Sequence, residues 1–131
     1  MKFFIDRSLS FFIILSILFL ASCAETKTME VTATAYNSVE NQTKKGDPIT
    51  AAWGDQMKPG MKAIAVSRDL LNEEGLEYGT EVKIEGLPGE YTVLDKMNKR
   101  WNNKIDIYMG ENVERAREWG KQEVMISWKA D

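Results

Sequence analysis

Two aspartates carry most of the chemistry this sequence can offer. Asp95 ends the run Tyr91-Thr92-Val93-Leu94, and Asp106 sits between Ile105 and Ile107. They lie 106 − 95 = 11 positions apart. Two carboxylates at neighbouring strand ends are the raw material of glycosidic bond cleavage, in which one carboxyl must hold a proton at the working pH. Burial or a crowding acid raises a carboxyl's pKa in the direction this needs. The same pair could instead accept hydrogen bonds from backbone N–H groups or lysines, and spacing alone leaves both roles open. The missing residue types narrow the field further. The chain has no His, which excludes a Ser-His-Asp triad, a Cys-His pair and an imidazole-bound zinc. Ser67 thus has no base to activate it, and a helix cap is its simpler role. Glu73, Glu74 and Glu77 form an exposed acidic cluster whose spacing matches no calcium loop. Neither a metal nor a cofactor is expected.

The elements that must position the aspartates are short strands. Asp106 alternates with two isoleucines, so if the Ile face is the core, Asp106 lies on the other face beside Tyr108. Upstream, Val31-Thr32-Ala33-Thr34-Ala35-Tyr36 alternates as a half-buried strand, and the polar residues Ala24 to Thr28 read as a tether. Asn37 to Gly60 reads as a long loop and Met61 to Val66 as a buried strand. Ser67 starts one helical turn through Leu71. Further strands are expected over Thr80–Glu85, Tyr91–Leu94, Lys104–Tyr108 and Val124–Trp128, with a turn at Gly86-Leu87-Pro88-Gly89. Asn112 caps a helix with Val113, Ala116 and Trp119 inward and Gly120 as its terminator. Six short strands with one short helix make a mainly β chain and suggest a small β-barrel.

The 131 residues hold 17 Lys and Arg against 20 Asp and Glu, with 44% hydrophobic residues. This is the composition of one globular domain, and its mild acidity argues against nucleic acid as a partner. The first 22 residues stand apart. Met1-Lys2 and Arg7 begin a leader whose apolar run, Phe11 to Leu20, is too short to span a membrane but suits a signal peptide. All five Phe fall within it. Leu20-Ala21-Ser22-Cys23 resembles the lipobox of bacterial lipoproteins, which implies cleavage before Cys23 and a lipid on its sulfur. Cys23 is the only Cys, so no intramolecular disulfide can form. Ala24 follows, with no Asp at that position, and by resemblance to lipoprotein sorting this favours an outer membrane facing the periplasm. The expected organisation is a signal peptide over 1–22, an anchor and tether over 23–30, and one domain over 31–131, working as a monomer.

Thr32-Ala33-Thr34-Ala35-Tyr36, Thr50-Ala51 with Gly54, Ile64-Ala65-Val66, Gly79-Thr80, and Leu94-Asp95 followed by Ile105-Asp106-Ile107-Tyr108 together resemble the three-aspartate (3D) domain family. The likeness runs from about residue 31 to 128. It implies a six-stranded double-psi β-barrel related to membrane-bound lytic transglycosylase A and to rare lipoprotein A-like and expansin-like domains. It also implies peptidoglycan as the substrate. By that resemblance Asp106 corresponds to the lone acid, then base, of the transglycosylases, which close a 1,6-anhydro ring on the muramic sugar, and Asp95 supports it.

Two departures bear on the chemistry. Ser67 stands where the family has its first Asp, with Asp69 two residues on. Met97-Asn98 replaces the Gly pair usual after the middle Asp. Between the two acids run Lys96, Lys99, Arg100 and Lys104, and these cations would tend to keep Asp95 and Asp106 ionised. They could equally bind anionic groups of the wall while Trp101 stacks on a sugar. Thr50, Trp53 and Gly54 are expected to shape the groove wall, with Lys96, Arg100, Trp101 and Tyr108 as further substrate contacts. Two functions follow: a lipid-anchored lytic enzyme of peptidoglycan turnover, or a non-catalytic wall-binding or structural barrel of expansin-like type.

Overall fold

The computed structural model describes residues 25–39 and 49–130. The expected signal peptide and the lipidation site Cys23 lie outside the described residues. The described chain is mainly β, with strands β1 (Glu25–Tyr36), β2 (Ile49–Thr50), β3 (Gln56–Met57), β4 (Ala63–Val66), β5 (Glu81–Ile84), β6 (Glu90–Lys96), β7 (Lys104–Tyr108) and β8 (Lys121–Ala130). Two helices, α1 (Arg68–Asn72) and α2 (Val113–Trp119), interrupt them. The single turn expected after Ser67 is thus a helix of its own, making two where one short helix was expected. Among the described residues no helix is long and apolar enough to cross a membrane.

Six strands form one mixed sheet in the order β1-β7-β4-β6-β5-β8, and β8 pairs back onto β1, so the order closes. β1 runs parallel to β7, β4 runs parallel to β6, and β4 joins β7 antiparallel. Strand β4, Ala-Ile-Ala-Val, is buried at all four positions, as a strand covered on both faces must be. The other strands alternate. Val31 and Ala33, Val82 and Ile84, Ile105 and Ile107, and Val124 and Ile126 all point inward and fill the interior. Val31, Ile64, Val82, Ile105, Ile107 and Ile126 are wholly excluded from solvent, and burying such side chains stabilises the fold by about 1.5–3 kcal/mol each. Leu70 from α1 and Ala116 from α2 close the ends of this core.

Most of the stretch expected as a tether is strand. Glu25 to Glu30 pair antiparallel with Met125 to Ala130, so β1 begins at Glu25 and belongs to the sheet. The outward side chains of this stretch are polar because one face is wet, and backbone pairing with β8 supplies the order. The segment expected as a continuous loop carries the hairpin β2–β3, pinned by a second apolar cluster of Ala51, Met57, Ala63 and Tyr108. Helix α2 matches its sequence signals. The Asn112 side chain accepts a hydrogen bond from the Arg115 N–H, and Gly120 takes φ +62° just past the last turn.

Ser67 occupies the cap position of α1, but its hydroxyl makes no capping bond. Its Oγ accepts from the Lys104 N–H at 3.0 Å, and its own N–H donates to the Lys104 carbonyl at 2.9 Å. Asp69 continues this clasp, accepting from the Asn103 N–H at 2.9 Å. Burial pushes the Asp69 carboxyl up, but the bonds it accepts from Ser67 and the backbone outweigh that and hold it below the usual aspartate value. The two residues together hold the entry to β7. Ser67→Ala leaves the Lys104 N–H without its acceptor, which costs about 1–3 kcal/mol. Thermal unfolding should show a melting point lower by about 4–8 °C per kcal/mol lost for a domain this small; an unchanged melting point would refute the clasp.

Candidate active site

Asp95 and Asp106 meet across one small residue. Ala65 on β4 pairs with Asp95 on one side and with Asp106 on the other. Strands sit about 4.8 Å apart, so the two aspartate backbones stand roughly 10 Å apart with only a methyl group between them. Asp95 reaches this row through an irregularity in β6. Ile64 pairs with Val93 but Ala65 pairs with Asp95, so Leu94 is an extra residue in the ladder. Such a bulge re-aims the side chain that follows it. Leu94 packs instead against the second apolar cluster.

β1 completes the row. Thr34 lies opposite Asp106, and its hydroxyl donates to Asp106 Oδ1 at 3.0 Å. Asp95 Oδ1 accepts from the Ala52 N–H at 2.8 Å and from the Lys96 N–H at 2.9 Å. Both acids face a cavity of about 310 Å³ whose walls include Tyr36, Ala65, Lys96, Met97, Asn98 and Trp101. Among the described residues the cavity is open.

Asp106 has its pKa raised. Burial is the main cause and the Asp95 charge adds to it, while the Thr34 hydrogen bond and the Lys104 charge work against it without prevailing. The loop cations therefore do less to Asp106 than their number in the sequence suggests. Three of them sit over indole rings: Lys104 Nζ lies 3.8 Å and Arg100 Cζ 4.8 Å from the Trp101 ring centre, and Lys96 Nζ lies 5.5 Å from that of Trp53. Tyr36 is the residue that the sequence pattern does not single out. Burial first, then the charges of Asp95 and Asp106 and its neighbour Tyr108, push its phenol well above the usual tyrosine value. Its hydroxyl is buried and has no hydrogen-bond partner among the described residues. It remains a neutral donor beside two acceptors.

Of the expected contacts, Lys96 and Trp101 line the cavity with the two aspartates. Trp53, 41% exposed, stands beyond Lys96 on the rim. Thr50 is exposed on β2, and Gly54 takes φ +100° in the turn that displays Trp53, a conformation suited to glycine. Neither lines the cavity, and Arg100 is turned onto Trp101. Tyr108 belongs to the fold, not to the groove wall: it is 2% exposed, donates to Ser38 Oγ at 3.2 Å and packs on Tyr36 with ring centres 5.4 Å apart. Among the described residues no three Asp, Glu or Cys side chains are grouped to hold a metal ion. The chain matches no known family model and no curated protein.

The Asp106 shift has a consequence for stability. An acid whose folded pKa is raised stabilises the fold most below its unfolded value, and that contribution is lost as pH rises through the folded value. Where it is ionised, Asp106 is therefore a cost to folding, which Asp106→Asn removes while keeping an oxygen for Thr34. The melting-point difference, variant minus wild type, should grow more positive from about pH 4 to about pH 7. A difference that stays flat or falls over that range would show that Asp106 is not raised.

Proposed function

We propose that this protein is a peptidoglycan-active barrel that cleaves glycan strands, with Asp106 as acid and then base. The observation that carries the reading is Asp106 itself, a carboxyl pushed toward its protonated form while facing an open groove beside a second carboxylate. In the proposed step Asp106 gives its proton to the glycosidic oxygen as the bond to C1 of the muramic sugar breaks. The resulting carboxylate takes the O6 proton, and O6 closes on C1 as a 1,6-anhydro product. Asp106 ends as it began, protonated, so no water is consumed. Asp95, fixed by two backbone N–H groups, supplies negative charge near the positive transition state.

The fold supports the same reading. Two parallel pairs, β1/β7 and β4/β6, joined back to back by the antiparallel β4/β7 contact, are the arrangement expected of a double-psi barrel of three-aspartate type. The clasp of Ser67 and Asp69 onto residues 103 and 104 supports a structural part for the place where that family has its first Asp.

Digestion of purified sacculi tests this. Wild type should release anhydro-muropeptides by mass spectrometry, and Asp106→Asn should lower turnover by about two to four orders of magnitude with its fold intact. Release of reducing ends without anhydro sugar would replace the proposal with hydrolysis using both carboxylates. If wild type releases nothing yet sediments with sacculi, a non-catalytic binding module takes its place. That second reading has its own support in Trp53 and Trp101, exposed indoles each flanked by a cation.

The same reading places the protein in the cell envelope, held by lipid on Cys23 and facing the periplasm from an outer membrane. Acyl chains contribute about 0.8 kcal/mol per buried methylene, so several anchor a small domain firmly. Cys23→Ala should accumulate as unprocessed precursor without lipid label; a mature, label-free wild-type chain starting elsewhere would rule the anchor out.

A further inference from the structure

A larger cleft of about 650 Å³ lies away from the aspartates, where β5 and β8 part. These strands pair only at Lys83↔Ser127 and Ile84↔Ile126, although β8 runs on to Ala130 and β5 begins at Glu81. The opening is walled by Glu81 and Lys83 on one side and by Trp128 and Lys129 on the other, with Tyr78 at its edge. Its lining is mostly polar and of mixed charge, which suits a hydroxyl- and amide-rich ligand better than an apolar one.

Tyr78 joins this cleft to the aspartate groove. Its ring lies 5.2 Å from that of Trp53 at 53°, and Trp53 in turn lies under Lys96, a wall residue of the groove. Both rings are exposed, Trp53 by 41% and Tyr78 by 49%. They are also held in place. The turn carrying Trp53 is closed by the Ala51 N–H to the Asp55 carbonyl at 2.8 Å and the Gly54 N–H to the Ala51 carbonyl at 2.9 Å. The Ala52 N–H ties that turn to Asp95, and the Tyr78 hydroxyl donates to Asp55 Oδ2 at 2.7 Å. Two exposed aromatic rings fixed by polar bonds present ready-made faces with little ordering entropy left to lose on binding. Rings with wet edges suit the C–H faces of sugars, whose hydroxyls stay hydrated at the rim.

The geometry points to a continuous glycan path, from the aspartate groove over the Trp53–Tyr78 shelf into the β5/β8 cleft, so that the protein grips the interior of a long sugar polymer and not only its end. This rests on the glycan reading of the groove and extends it to a second subsite. The shelf sets preference for chain length, while the groove holds the bond to be cut.

The test uses Asp106→Asn protein, so that ligand is not consumed, titrated calorimetrically with the di- and hexasaccharide of β-1,4-linked N-acetylglucosamine. The hexasaccharide should bind at least about tenfold more tightly than the disaccharide. Adding Trp53→Ala or Tyr78→Ala should remove about tenfold from the hexasaccharide and change the disaccharide by less than about twofold. Tyr78→Phe, which keeps the ring, should retain most of the affinity. Equal binding of the two oligomers, or shelf variants that leave the hexasaccharide unaffected or weaken both ligands alike, would overturn the shelf. If neither oligomer binds while wild type still releases anhydro-muropeptides from sacculi, the shelf falls and the lytic reading stands. If neither oligomer binds and no product is released, both fall.

Discussion

The site depends on one extra residue in a strand. Without the register shift in the β6 ladder, Leu94 would stand opposite Ala65 and Asp95 would be carried to the other face, because side chains alternate with a period of two. The bulge corrects the phase just where β6 ends. It turns Leu94 into the outer apolar cluster and lays Asp95, Ala65, Asp106 and Thr34 in one row across four adjacent strands. Ala65 then matters for what it lacks. A larger side chain there would fill the space between the acids. All four members of the row lie on strands whose alternate side chains are locked into the interior, and Asp95 is also bonded to the turn that bears Trp53.

Charge in the groove is distributed in a way that counting residues obscures. Four cations between two acids suggest neutralised carboxylates. In space, the nearest of them to the ring systems spend their charge over Trp53 and Trp101, and burial decides the state of Asp106. A cation over an indole is attracted by the negative face of the ring. Trp101, with Lys104 against its ring, lies within the cavity wall, and the Lys104 charge still acts on Asp106 but does not outweigh burial.

Strand β7, helix α2 with its Asn112 cap, and the core faces around Ile105 and Ile107 are legible in the sequence, because each follows from a local period or a local cap. The pairing of the two aspartates across Ala65 is not. It depends on β4 lying between β6 and β7, which no local pattern announces, and on a bulge that alternation alone would misplace. Tyr36 escapes notice for a related reason. Its register opposite Tyr108 comes from the parallel pairing of β1 with β7, two segments far apart in the chain. Glu25 to Glu30 look like a tether because polar side chains say nothing about backbone partners, and Ser67 looks like a cap because the strand it clasps is distant in sequence.

The buried Tyr36 hydroxyl, without a partner among the described residues, and the raised Asp106 are both costs to the fold, the first about 1–3 kcal/mol on its own. Neither is needed to hold the sheet together, since the interior is filled by aliphatic side chains from six strands. The outer cluster around Tyr108 and Met57 separately fastens the β2–β3 hairpin that displays Trp53. The stabilising contacts and the strained groups thus sit on opposite faces of the same strands, Ile105 and Ile107 inward and Asp106 outward on β7 being the plainest case. A site of this kind can be kept poised, with one acid toward its protonated form and one donor unspent, because the face that bears it contributes little to the core that must outweigh its cost.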